Sequence, residues 1–385
     1  MSNLFERYRE DGKKRCRLRD LGIHVGEYAP GPKNSITDVP GVRVGHSTLI
    51  EGSGRRKPGN GPVRTGVTVI IPNDDVYQRK LVSGGFILSG AGEVTGLTQI
   101  MEWGFLETPL ALTNTMSVGR VGDSLIKWMS QKYSQIRDFQ EVIIPVVGEC
   151  DDSFLNDAVG LHIKPQNVFS ALDSASEAPV EEGAVGAGTG MVCCDLKGGI
   201  GSASRIVPMG DQNYTLGVLV LSNFGVMEHL RVDGYPVGRV LAAAQGAYSR
   251  RTSSYGSIIC VVGTDMPLTS MQINRLCRRA ALGIGRVGSY GAHSSGEIIV
   301  GFSTANIVPR QSPQPQVQFT MILDMFLDPA YKAVIEATEE AILNSLTRAV
   351  DMEGANNNRV PAINLQLLKG LFEHYNSVKG IISAK

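Results

Sequence analysis

Gly256 and Ser257 stand at the mouth of a buried-looking apolar run, Tyr255-Gly256-Ser257-Ile258-Ile259-Cys260-Val261-Val262, preceded by the polar stretch Ser249-Arg250-Arg251-Thr252-Ser253-Ser254. A serine entering a core strand from a loop can do chemistry few serines can. Its hydroxyl can attack the carbonyl before it, form an ester by N-to-O acyl shift, and release itself by hydrolysis as a new N-terminus. Such a residue holds nucleophile and base together, because its α-amine titrates near ~8 and lies a few ångströms from its own Oγ. Glycine before the bond tolerates the backbone strain of that attack. The same dipeptide is also the sequence of an ordinary turn, so the reading depends on what else the chain supplies.

Other residues have chemistry to contribute. The apolar strand Glu141 to Val147 ends at Gly148-Glu149-Cys150-Asp151-Asp152, and the carboxyl ends of core strands are where α/β folds build sites. Glu149 there either caps a loop or pairs with a substrate ammonium. Asn223 closes the strand beginning at Thr215; its amide can donate to an oxyanion or form an Asx turn before Gly225. Ser295 and Glu297, two apart in a predicted strand, share one face. Two glycine-dense segments, Gly183 to Gly190 and Lys197 to Arg205, lack phosphate-loop spacing and read as a tight hairpin or close backbone packing. The segment Leu88 to Leu97 reads as a helix-start turn, since it fails the spacing of a dinucleotide fingerprint. The six histidines show no ligand spacing and the six cysteines no disulfide or zinc pattern, so no metal and no cofactor is expected.

These groups need a scaffold. Hydrophobic content of 42% with 45 glycines and few aromatics describes a loop-rich, sheet-containing core. A formal net charge of zero excludes nonspecific attraction to nucleic acid or to a membrane surface. Met1 to Asp20 is charged without an apolar signal core, and no window approaches a membrane span, which predicts a cytoplasmic protein. Asn34 to His46 reads as a hairpin around Pro40-Gly41. Val67 to Ile71, Pro109 to Thr115 and Thr215 to Leu221 read as strands. Helices are predicted up to Trp103, from Ser117 to about Tyr133, after a Thr269 or Ser270 cap, from Pro329 to Val350 behind an Asp328 N-cap, and from Gln366 to Tyr375.

With these segments in order, the chain resembles the self-processing N-terminal-nucleophile aminopeptidases, which include the L-aminopeptidase/D-esterase-amidases and β-peptidyl aminopeptidases. The resemblance runs from about Ile36 to about Ala349. It rests on Ile36-Thr37-Asp38-Val39-Pro40-Gly41-Val42-Arg43-Val44-Gly45-His46, Gly90-Ala91-Gly92-Glu93, Leu112-Thr113-Asn114-Thr115, Gly186-Ala187-Gly188-Thr189-Gly190, Tyr255-Gly256-Ser257-Ile258-Ile259 and Ser294-Ser295-Gly296-Glu297. It implies a four-layer α/β/β/α sandwich made of an α chain, residues 1–256, and a β chain, residues 257–385, usually in a homotetramer. It implies that Ser257 is the nucleophile and its freed amine the general base. Ser295 and Glu297 would position that terminus, Asn223 hold the oxyanion, and Glu149 hold the substrate amino group. Substrates would be short peptides, amides and esters. Members acting on D-alanyl amides often carry an aromatic residue two positions after this Glu; Asp151 stands there, which tilts the expectation towards β-amino acids. Ornithine-acetyltransferase-like acyl transfer and nylon-oligomer-type amide hydrolysis remain sibling readings, both normally with a Thr nucleophile. An unprocessed binding protein is the reading from another class.

Overall fold

The computed structural model describes residues 15–139, 141–244 and 256–383. Tyr255 and the polar stretch before it lie outside the described residues.

Two sheets form the centre. The first has four strands in the order β1 (Arg43–Glu51), β2 (Val63–Ile71), β5 (Leu110–Asn114) and β6 (Val146–Cys150). The second has six, in the order β4 (Phe105–Leu106), β3 (Arg79–Gly90), β12 (Ser295–Pro309), β11 (Gly256–Thr264), β10 (Gln212–Asn223) and β9 (Gly199–Met209). A short ribbon of β7 (Val192–Cys193) and β8 (Leu196–Lys197) leads into β9. The helices are α1 (Leu97–Trp103), α2 (Val118–Lys132), α3 (Ser134–Asp138), α4 (Pro165–Asp173), α5 (Val237–Ala244), α6 (Ser270–Arg286), α7 (Asp328–Arg348) and α8 (Leu365–Ser383).

The layering follows from strand alternation. Every residue of β11 is buried, so its sequence is apolar on both faces. Ile258, Cys260 and Val262 turn to one side, into a core with Ile273, Leu276 and Ala280 of α6 and Ala333, Ala337 and Ala341 of α7. Ile259 and Val261 turn to the other, where Leu219 and Leu221 of β10 meet Ile70, Leu110, Leu112 and Val146 of the four-stranded sheet. Beyond that sheet, Val67, Val69, Ala111 and Val147 pack on Val121 and Leu125 of α2 and Val168 and Ala171 of α4. The architecture is therefore the expected four-layer α/β/β/α sandwich.

Close approach explains part of the glycine content. A Cβ on Gly201 of β9 would lie 1.9 Å from the Ala341 carbonyl of α7, so strand and helix meet backbone to backbone. The glycine-dense segment from Lys197 is thus strand, packed closely as the sequence suggested. Helix α7 carries Glu336 and Glu340 into this layer, where buried Arg205 answers both at 3.4 and 2.7 Å and Arg19 adds a 2.8 Å contact to Glu340.

The expected hairpin at Asn34 to His46 does not form. Ile36–Asp38 is a 3-10 turn, and only the second arm becomes strand, as β1. The Asp38 carboxylate accepts from the backbone N–H groups of Lys33 and Ser35 and from the Ser204 hydroxyl, taking up donors that a strand partner would otherwise hold. Helix α7 begins at Asp328 itself, with Pro329 in its first turn, and α8 runs past the expected Tyr375.

Candidate active site

Ser257 is the second residue of β11, the central strand. It stands in register with Asn223 of β10 on one side and Gly296 of β12 on the other. Strand alternation turns its side chain with Ile259 into the space between the sheets, on the side of the buried Cys150 at the end of β6. The Cys150 thiol donates to the Leu221 carbonyl at 3.5 Å, and burial pushes its pKa well up. Position 256 admits only glycine: a Cβ there would lie 2.1 Å from the Asn223 carbonyl oxygen.

Ser295 and Glu297 come together as their spacing suggests. The Ser295 hydroxyl donates to Glu297 Oε1 at 2.6 Å, and the Ser289 hydroxyl donates to the same oxygen at 3.1 Å. Ser295 pairs in register with Gly256 and Glu297 with Ile258, so the two flank the Ser257 main chain from the face turned to α6, opposite the Ser257 hydroxyl. Glu297 is fully buried; desolvation raises its pKa, against the lowering effect of the two hydroxyls. Its Oε2 is buried without a partner among the described residues. A buried carboxylate oxygen in that condition calls for a donor or a cation.

Asn223 ends β10 with its amide held at both ends. Oδ1 accepts from the Val192 N–H at 2.9 Å, and Nδ2 donates one hydrogen to the Asp151 carbonyl at 2.9 Å. The amide plane is thereby fixed beside Ser257, its register partner.

Glu149 lies near the end of β6, almost fully buried. Oε1 accepts from the Glu93 N–H at 2.9 Å and Oε2 from the Thr115 hydroxyl. Burial raises its pKa although these two bonds work to lower it. Gly92 is wedged between this carboxylate and Gly296: a Cβ on it would lie 3.2 Å from Glu149 Oε1 and 3.7 Å from the Gly296 Cα. One glycine thus separates the carboxylate from the strand that pairs with Ser257. Asp151 turns its carboxylate onto Ser153, accepting from its N–H at 2.8 Å and its hydroxyl at 3.0 Å.

The fold therefore gathers all the sequence-nominated positions at one end of β11. It adds Cys150, Ser289 and Thr115, which sequence reasoning had not assigned to the site. Thr115 and Cys150 lay in segments that had drawn notice for other residues. Ser289 is brought in by strand order.

The model of peptidase family S58 matches residues 34–360. The beta-peptidyl aminopeptidase BapA of Sphingosinicella microcystinivorans is 39% identical over 370 residues, covering 93% of this chain and 92% of its own. A solved beta-aminopeptidase from Burkholderia sp. superposes with a TM-score of 0.84 at 41% identity, over 93% of this chain and 99% of that one. The l-aminopeptidase d-ala-esterase/amidase of Ochrobactrum anthropi, described as a new variant among the ntn hydrolase fold, superposes at 0.85 with 37% identity, over 94% and 99%. Matched by the family model over most of its length, and by full-length relatives in sequence and in fold, the chain belongs to peptidase family S58.

Proposed function

We propose that this protein is an aminopeptidase that cuts its own chain between Gly256 and Ser257 and then releases N-terminal residues through an acyl-enzyme on Ser257. One juxtaposition carries the reading: Gly256-Ser257 opens the central strand, with the Asn223 amide in register on one side and a buried, half-satisfied Glu297 flanking its main chain on the other. Cleavage would turn the Ser257 N–H into an α-ammonium, the kind of cation the orphaned Glu297 oxygen lacks. In its neutral form the amine takes the proton from Ser257 Oγ as that oxygen attacks the substrate carbonyl, and returns it to the leaving amine. Water then resolves the ester by the same route. Asn223 Nδ2, aimed by its two hydrogen bonds, serves as an oxyanion donor.

Glu149 accounts for action at N-termini, since its carboxylate pairs with the substrate ammonium. Asp151, folded back on Ser153 in place of an aromatic side chain, favours β-amino over D-alanyl substrates. Two relatives carry that specificity in their names, and this supports the choice. Self-association as a homotetramer of αβ units draws support from an arm without regular structure that exposes Val317, Phe319, Met321 and Leu323 at alternate positions. A panel of β-alanyl, L-alanyl and D-alanyl p-nitroanilides tests the function directly. Release of p-nitroaniline, fastest from the β-alanyl compound and abolished by Ser257→Ala, is the expected result; equal release by Ser257→Ala would overturn it.

A further inference from the structure

Lys197 at the end of β8 is completely buried, an unusual place for a lysine that no ion pair holds among the described residues. Its Nζ donates to three main-chain carbonyls: Gly188 at 3.0 Å, Met191 at 2.8 Å and Gly198 at 2.8 Å. Burial pulls its pKa down to about 7. Three acceptors nonetheless require three N–H hydrogens, which only the ammonium carries.

The middle carbonyl has a second consequence. The C=O of Met191 and the N–H of Val192 belong to one peptide group. Its oxygen accepts from Lys197, and also from the Gly198 N–H at 3.2 Å, while its N–H donates to Asn223 Oδ1 at 2.9 Å. A cation on a peptide oxygen draws electron density through the amide and makes the N–H a stronger donor. That donor does the same to the Asn223 amide, so Nδ2 becomes a stronger donor in its turn. The path is a continuous chain of hydrogen bonds: ammonium, peptide, side-chain amide.

We infer that Lys197 is a positioning residue for the reaction, fixing and polarising Asn223 through the Met191–Val192 peptide without touching substrate. The inference rests on the proposed role of Asn223 as an oxyanion donor and deepens it. It assigns a task to the glycine-dense segments on either side, whose carbonyls at Gly188 and Gly198 seat the ammonium.

A double-mutant cycle on the full-length protein tests this, with β-alanyl-p-nitroanilide as substrate and circular dichroism confirming fold at the assay temperature. Lys197→Met is expected to lower kcat about tenfold, part of the loss that removing the donor itself brings, while KM stays within about twofold. In an Asn223→Ala background the same change is expected to cost no more than about twofold, because the group it acts through is gone. Equal fold-losses in both backgrounds, or unchanged kcat in Lys197→Met, would overturn the inference while leaving Asn223 in place. An Asn223→Ala enzyme with wild-type kcat would instead remove the oxyanion role on which it rests. Where Lys197→Met fails to fold, Lys197→Gln, which keeps two donors but no charge, runs the same cycle with the same two outcomes.

Discussion

The Ser257 hydroxyl and the Asn223 oxyanion donor can be removed one at a time by mutation. Ser257→Ala is expected to remain one polypeptide with no peptidase activity, read by denaturing electrophoresis and assay. Asn223→Ala is expected to fold and to lose on the order of a hundredfold in kcat, the usual cost of one oxyanion donor. Glu149 makes a pH prediction. It must be ionised to hold the substrate ammonium, and burial raises its pKa, so kcat/KM should fall on acidification at a pH above the ordinary carboxylate range. On the basic side it should fall as the substrate ammonium loses its proton. Glu149→Gln is expected to lose about a hundredfold in kcat/KM and its acidic limb together. The positions of Ser257, Ser295, Glu297, Asn223 and Glu149 were legible because each lies in a distinctive local segment at a strand end. Lys197 drew notice only as part of a glycine-dense stretch, Cys150 only as a neighbour of Glu149, and Ser289 was assigned no role. Their relevance depends on Asn223, Glu297 and Ser257, which only the sheet order brings to them.

At the scale of elements, β11 was readable because a strand covered on both faces is apolar throughout. The helix cap at Thr269 was readable too, and its hydroxyl accepts from the Gln272 N–H at 3.3 Å. Asn34 to His46 was misread because Pro-Gly between β-branched residues has the composition of a hairpin, whereas the hydrogen bonds that decide the case belong to Asp38 and to a serine far along the chain. The contact of β9 with α7 gives the element-scale prediction. Gly201→Ala puts a Cβ within 1.9 Å of the Ala341 carbonyl, so strand and helix must separate. A loss of about 3 kcal/mol or more in unfolding free energy, measured by urea denaturation, is expected. An unchanged midpoint would mean that the two do not meet there.

Across the whole molecule, the six-stranded sheet interleaves segments from both sides of the proposed cut. β10 pairs with β11 and β3 with β12, so the two products would stay joined by strand pairing and a shared core. His46 of β1 adds a pH dependence of stability. Its Nδ1 meets the Thr68 hydroxyl at 2.9 Å, its Nε2 is buried without a partner among the described residues, and burial holds its pKa down to about 4. An unfolded histidine takes its proton near pH ~6.5, so between there and pH ~4 the unfolded chain binds the extra proton and stability falls as pH falls. Between pH 7 and pH 4 the melting temperature of the wild type should drop further than that of His46→Gln. The cut itself is read by intact-mass analysis with N-terminal sequencing of purified wild-type protein. Two polypeptides are expected, the second running from Ser257 and beginning Ser-Ile-Ile-Cys. A single uncut chain from a preparation that hydrolyses β-alanyl-p-nitroanilide would contradict the cut.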